Sequence, residues 1–243
     1  MFTLIHRPLN YGKLFLLPVP LGADALETIP PYVIARIHAL DHFIAERAKT
    51  ARRFIKSTGP ERPISELNIL ELNKRTTDEE RSHLLDAALN GHDVGLLSEA
   101  GCPAVADPGA QVVAQAHRLG VEVVPLVGPS SILLAIMGSG MNGQGFTFHG
   151  YLAAKPHELT RDLRRIEQDL RRTGYTQLCI ETPYRNDKFI ETALQTLHPT
   201  TRFGIATDLT LSTEYVKTKT IADWKKSNPP SLHKRPTIFL LGK

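Results

Sequence analysis

The segment Leu96-Leu97-Ser98-Glu99-Ala100-Gly101-Cys102-Pro103-Ala104-Val105-Ala106-Asp107-Pro108-Gly109 leads from an apolar run through a loop of small residues into a helix start. Gly101 allows a ligand to approach the backbone closely, and Asp107 is placed to cap the helix that opens at Pro108. In an open sheet, ligands bind at the carboxyl ends of strands, where this loop falls. A tight structural turn accounts for the same residues. A second segment, Val127-Gly128-Pro129-Ser130-Ser131, follows another apolar run and opens another helix. Its hydroxyls and free N–H groups can hold an anion such as a carboxylate, or serve as an ordinary helix cap. Two such loops at neighbouring strand ends point to one shared ligand. Neither is a Gly-x-Gly-x-x-Gly fingerprint and no Gly-x-x-x-x-Gly-Lys-Ser/Thr loop occurs, so dinucleotide and nucleoside triphosphate binding are not supported.

Proton-transfer candidates are the carboxylates Glu46, Glu99 and Glu181, each near a strand end; a cap or an ion pair explains each equally well. Glu46 and Lys49 are the candidate catalytic residues. Gly138-Ser139-Gly140 lacks the Gly-x-Ser-x-Gly elbow, and the ten histidines show no triad spacing. Basic residues gather twice. Arg47, Lys49, Arg52, Arg53 and Lys56 lie within ten residues, with no acidic residue between Glu46 and Glu61. Arg161, Arg164, Arg165, Arg171 and Arg172 form a second set, interleaved with Asp162, Glu167 and Asp169. Phosphate-binding patches have this composition, and so do solvated helix faces.

Short branched apolar runs alternate with amphipathic ones, the pattern of an α/β protein. In the first half, strands are expected at Lys13–Pro18, His42–Ala45, Asn68–Leu72, Asp93–Ser98 and Val121–Val127. Helices are expected at Tyr32–Leu40, Arg47–Lys56, Asp78–Leu89 and Pro108–Leu119. In the second half, helices fall at Pro129–Met141, Pro156–Thr173 and Asn186–Leu197. Strands fall at Phe146–Leu152, Thr176–Glu181, Arg202–Asp208, Tyr215–Ile221 and Pro236–Leu241, in a sheet expected to be mixed. Gly128-Pro129 marks the expected boundary between an N-terminal α/β domain, 1–127, and a C-terminal one, 128–243.

Of 243 residues, 29 are Lys or Arg and 25 Asp or Glu, a net charge of +4 that is unevenly divided. Residues 1–127 hold 13 basic and 15 acidic residues, and residues 128–243 hold 16 and 10. Cys102 and Cys179 have no metal or disulfide spacing around them, which fits a reducing cytoplasm and no metal site. Met1–Pro8 does not read as a signal peptide. The uncharged stretch Val123–Ala154 is broken by glycines and prolines, so it does not read as a membrane span.

The loops carry a resemblance. Ser98-Glu99-Ala100-Gly101-Cys102-Pro103 with Ala106-Asp107-Pro108-Gly109, and Pro125-Leu126-Val127-Gly128-Pro129-Ser130-Ser131, resemble the Ser-Asp-Ala-Gly-Thr-Pro…Asp-Pro-Gly and Pro-Gly-Pro-Ser motifs of the tetrapyrrole methylase superfamily. These are the class III S-adenosylmethionine (SAM) methyltransferases. Leu14-Phe15-Leu16-Leu17-Pro18-Val19-Pro20-Leu21-Gly22, Phe148-His149-Gly150-Tyr151-Leu152 and Glu181-Thr182-Pro183-Tyr184-Arg185 are similar to motifs of its branch that methylates a cytidine ribose 2′-hydroxyl of 16S rRNA. The resemblance implies two α/β domains with the cofactor in a cleft between them, usually in a homodimer, acting on ribosomal RNA or the small ribosomal subunit. It implies SAM contacts at Pro20, Leu21, Ser98, Glu99, Ala100, Gly101, Val105, Ala106, Ser130, Ser131, Thr182 and Ala206. Arg47, Arg52, Arg53 and Arg185 are the substrate-binding candidates. Where the branch has Ala-Glu-Asp-Thr-Arg, this chain has Ala45-Glu46-Arg47-Ala48-Lys49; where it has Ala-Arg-Glu-Leu-Thr-Lys, this chain has Ala206-Thr207-Asp208-Leu209-Thr210-Leu211. Glu99 replaces the usual Asp. A small-molecule acceptor and an inactive SAM-binding relative remain as alternatives.

Overall fold

The computed structural model describes residues 10–23 and 25–243; Met1–Pro8, read above for a signal peptide, lie outside them. The chain divides into two compact units, Met1–Pro129 and Ser130–Lys243.

In the first unit, strands β1 (Leu14–Leu17), β2 (His42–Ala45), β3 (Asn68–Glu71), β4 (Val94–Leu97) and β5 (Val123–Pro125) form one sheet in the order β3-β2-β4-β1-β5. Every pairing is parallel. Because side chains alternate across a strand, each strand feeds two cores. Phe15, Leu17, Phe43, Ala45 and Leu97 meet Val33 and Ile37 of helix α1 (Pro31–His38) and Ala51 and Ile55 of α2 (Ala48–Ser57). Leu14, Ile44, Val94 and Leu96 point the other way, toward Leu84, Leu85 and Ala88, and toward Val112 and Ala116 of the later helix Gly109–Leu119.

The helix expected over Asp78–Leu89 is two short ones, α3 (Asp78–Ser82) and α4 (Asp86–Leu89), followed by α5 (Gly109–Leu119). A capping box between Thr77 and Glu80 starts α3. The chain then tightens to i→i+3 hydrogen bonds, His83 N to Glu80 O and Leu84 N to Arg81 O, and the break leaves Leu84, Leu85 and Ala88 all buried.

The second unit contains α6 (Ser131–Ser139), β6 (Phe146–Tyr151), α7 (Pro156–Thr173), β7 (Thr176–Ile180), α8 (Asn186–Thr196), β8 (Arg202–Thr207), β9 (Tyr215–Thr220), α9 (Ile221–Ser227) and β10 (Thr237–Gly242). The sheet order is β6-β7-β10-β8-β9, with β6 and β7 parallel and the rest antiparallel, a mixed sheet as expected. Leu159, Leu163, Ile166 and Leu170 bury one stripe of α7 against Phe189, Phe203 and Phe239, and the Phe189 and Phe239 rings stack at 4.3 Å.

Helix α9 was not expected. Its signal lay at the end of a strand pattern: Thr220 accepts from Asp223 N at 3.1 Å, an N-cap, and Trp224 is buried with its indole N–H donating to Phe203 O at 2.8 Å. Among the described residues, no helix is long and apolar enough to cross a membrane.

Candidate cofactor loops and polar pocket

In the first unit the chain leaves β2 toward β3 on one side, and leaves β4 toward β5 on the other. Neighbouring strands whose connections diverge open a crevice at their carboxyl ends. Ala45 at the end of β2 and Glu46 just after it, with Leu97 at the end of β4, Ser98 and Asp107 of the following loop and Gly109 at the start of α5, line a small pocket there.

The loop after β4 is locked by its own chemistry. Ser98 Oγ donates to Gly101 O at 2.9 Å. Gly101 and Val19 exchange backbone hydrogen bonds of 3.0 and 3.1 Å, tying the loop to the one that follows β1. Gly101 sits at φ +71°, and a Cβ there would lie 3.1 Å from Leu21 and 3.3 Å from Pro129 O. Ala104 and Ala106 also adopt positive φ, 66° and 60°, a region that costs an L-residue about 1–2 kcal/mol. Asp107 offsets this by accepting N–H bonds from Ala104 at 2.9 Å and Gly109 at 2.8 Å; the helix starts at Gly109 with Pro108 at the N-cap, so Asp107 holds the turn from one residue before the cap position where it was expected. Burial pushes the Asp107 carboxyl above the ordinary aspartate range, and these two N–H bonds pull it partly back. Gly128 closes the set from the other side, since a Cβ there would overlap Pro18 at 2.2 Å.

The SAM contacts implied for this unit therefore fall on interlocked loops. Leu21 packs beside Gly101, while Val105 and Ala106 are exposed at the loop tip. Glu99 Oε1 accepts from the Thr50 hydroxyl at 2.6 Å, which ties it to α2. Cys102 donates its thiol to Pro129 O at 3.4 Å, and burial pushes the thiol above the ordinary cysteine range.

Beside this crevice, and sharing Glu46 with it, a pocket of about 960 Å³ opens at the carboxyl ends of β2 and β3. Arg47, Lys74 and Arg75 supply positive charge, Glu46, Glu71 and Glu80 negative charge, and His83 lies on the wall. Sequence reasoning missed Asn73, Lys74, Arg75 and Thr76, although a polar, basic turn directly after an apolar run was visible. Thr76 is buried; its hydroxyl accepts from Asn73 N and donates to Glu71 O, which fixes the turn.

The basic cluster of α2 presents Lys49, Arg52 and Arg53 to solvent, with exposed Arg47 at the N-cap, while Ala51 and Ile55 face the core. Among the described residues none of these four cations forms an ion pair. Helix α7 differs: Arg165 lies against Asp162 and Asp169, Arg172 against Asp169 and Arg171 against Glu167.

In the second unit, Ser130 caps α6 by accepting from Leu133 N at 3.5 Å, and Ser131 is the first helical residue. Thr182 donates its N–H to Glu181 Oε1 at 2.5 Å and accepts from Arg185 Nε at 3.0 Å. Glu181 is buried and ion-paired to Arg185, so this carboxylate and this guanidinium are committed to each other. Ala206 is buried on β8, in register with Ile238 on one side and Val216 on the other.

Comparison with known proteins points in one direction. The family model described as Tetrapyrrole (Corrin/Porphyrin) Methylases matches residues 16–224. Ribosomal RNA small subunit methyltransferase I of Pseudomonas aeruginosa is 27% identical over 223 residues, covering 90% of this chain and 75% of that protein. The protein of the same name from Mesorhizobium japonicum is 29% identical, covering 88% and 69%. That from Vibrio cholerae is 32% identical, covering 58% and 47%. The matched stretch thus spans from 47% to 75% of these relatives. Among solved structures, diphthine synthase aligns with a TM-score of 0.67 at 15% identity, covering 96% of this chain and 90% of the other. The methyltransferase CobJ aligns with a TM-score of 0.63 at 18% identity, covering 96% and 94%. At these identities the likeness is one of fold.

Proposed function

We propose, from the premise that this chain belongs to the tetrapyrrole methylase family and is a SAM-dependent methyltransferase, that its methyl acceptor is a ribose 2′-hydroxyl of small-subunit ribosomal RNA. The observation that carries the reading is the pocket next to the Ser98–Gly109 loop. Of its lining residues only Leu70 and Leu84 are apolar, and Arg47, Lys74 and Arg75 suit a sugar-phosphate better than a flat macrocycle. The exposed cations of α2 extend the same chemistry along the surface.

The loops fit SAM in their donor set and shape. Small side chains and left-handed turns at Gly101, Ala104 and Ala106 leave the backbone bare, and exposed Val105 offers an apolar surface. In the first unit Pro20, Leu21, Ser98, Glu99, Ala100, Gly101, Val105 and Ala106 would hold it. SAM, when bound, supplies a sulfonium methyl open to in-line displacement by an oxygen nucleophile. Arg47, Lys74 and Arg75 hold the acceptor's phosphates, and Glu46, common to both pockets, takes the proton of the ribose hydroxyl. Orientation carries most of the rate in such a displacement, up to roughly 7–11 kcal/mol in favourable intramolecular cases.

Incubation with tritiated SAM and small ribosomal subunits, followed by digestion to nucleosides, tests the reading. Label in a 2′-O-methylnucleoside supports it. Label confined to a small-molecule extract transfers the enzyme to a metabolite, and SAM binding with no labelled pool identifies an inactive relative. In the same proposal the enzyme works in the cytoplasm as a homodimer, which analytical ultracentrifugation and fractionation check.

A further inference from the structure

The second unit carries an exposed aromatic and basic cluster that the SAM loops do not use. Tyr184, two residues after Thr182, is 70% exposed. Its ring meets His233 edge-on at 5.8 Å, and Lys234 Nζ lies 5.9 Å from the ring centre. The segment that presents His233 and Lys234 is held firmly. Asp187 accepts from Leu232 N at 2.6 Å and from the Ser231 hydroxyl at 2.9 Å; Asn186, wholly buried, donates to Leu232 O and Arg235 O; and Lys234 N donates to Pro183 O at 2.9 Å. Lys234 sits at φ +64°, a strained conformation for a residue with a long side chain, and its surroundings impose it. Among the described residues Lys234 has no ion pair, and neither the Tyr184 hydroxyl nor the His233 ring has a hydrogen bond.

Two chain segments are thus pinned together so that an aromatic face and a free cation stand side by side in solvent. Single-stranded nucleic acids are held by this pairing, with base on ring and phosphate on cation. We propose that Tyr184, with His233 at its edge and Lys234 beside it, forms a platform on which an unpaired base of the RNA substrate stacks while Lys234 meets the adjacent phosphate. This rests on the RNA reading above. Buried Asn186 and the exposed Asp187 act as positioning residues by fixing the Ser231–Arg235 segment.

The test is fluorescence anisotropy with a labelled twelve-nucleotide oligouridylate and oligoadenylate at 50–200 mM salt, on the full chain. Tyr184→Ala is expected to weaken both by about tenfold, and Tyr184→Phe to stay within about twofold, because stacking needs the ring and not the hydroxyl. Lys234→Ala is expected to reduce the salt slope by about 0.7, the value of one phosphate contact on a single strand. Calorimetry with S-adenosylhomocysteine should give unchanged affinity for all three variants. Equal RNA affinity of Tyr184→Ala and wild type overturns the platform. So does a Tyr184→Phe defect as large as that of Ala, or a loss of S-adenosylhomocysteine binding in Tyr184→Ala. Wild-type protein that methylates small subunits but binds neither oligonucleotide also overturns the platform while the RNA reading stands; failure of both ends both.

Discussion

The carboxylate of Glu71, at the end of β3, accepts the backbone N–H of Ala48, the first residue of α2, at 2.7 Å. Arg47 is the N-cap of that helix and makes no side-chain cap. Position 47 is where the resembling branch carries Asp, a good cap, so the departure at Arg47 is made good by a carboxylate from the neighbouring strand. The same carboxylate sits favourably at the positive end of the helix dipole.

Glu71→Ala should therefore cost about 1 kcal/mol, the usual worth of a cap, and lower the melting temperature by about 2–4 °C. Glu71→Gln keeps an acceptor and should lose less. Thermal unfolding followed by circular dichroism reads both.

Asp107 holds the strained Ala104–Gly109 turn, so Asp107→Ala should destabilise by about 2 kcal/mol, whereas Asp107→Asn retains the carbonyl acceptor and should cost less. The Asp107 pKa is raised in the folded state, so between the ordinary aspartate value near about 3.9 and the raised value the native protein binds more protons than the unfolded one. Its contribution to stability is fully present below that window and declines as pH rises through it. Urea midpoints across acid pH should show this decline in wild type and a weaker one in Asp107→Asn; identical profiles would refute the assignment.

Glu46→Gln should reduce methyl transfer about 100-fold or more, within the range expected for losing a general base, while leaving S-adenosylhomocysteine affinity unchanged. Single-turnover rates against pH separate proton transfer from binding. A variant as active as wild type removes Glu46 from the chemistry.

Arg52→Glu with Arg53→Glu should weaken RNA binding and lower the salt slope by about 1–2, because among the described residues these cations have no acidic partner to release. Reversing Arg165 and Arg172, already beside Asp162 and Asp169, should change the slope far less. Titrations of small-subunit RNA at several salt concentrations distinguish the two helices.

Arg185→Leu leaves Glu181 buried without its cation and should destabilise by about 2 kcal/mol, less than a fully buried pair because the Arg185 side chain is 38% exposed. Arg185→Lys should recover part of this. Urea unfolding checks both.

Short apolar runs were enough to place all ten strands of the described residues, because such patterns are local properties of the chain, and the close succession of the late strands marked the second sheet as mixed. It failed where helix signals were short. Asp78–Leu89 broke at a tightened turn, His83 N to Glu80 O and Leu84 N to Arg81 O, that no glycine or proline announces, and α9 hid behind a strand pattern that ended at its cap.

The loops at Ser98–Gly109 and Val127–Ser131 were legible from residue type and spacing, since glycine, proline and small polar residues announce turns directly. What the tertiary structure alone decided was which groups remain available. Arg185 and Arg165 look in the sequence like Arg52 and Arg53, yet among the described residues the first two are paired and the last two are not. Glu71 and Lys74, unremarkable in the chain, become a helix cap and a pocket wall. Tyr184 and Lys234, fifty positions apart, become one surface. A residue's chemistry is written in its side chain, but its availability depends on what long-range packing sets against it, and no local pattern encodes that.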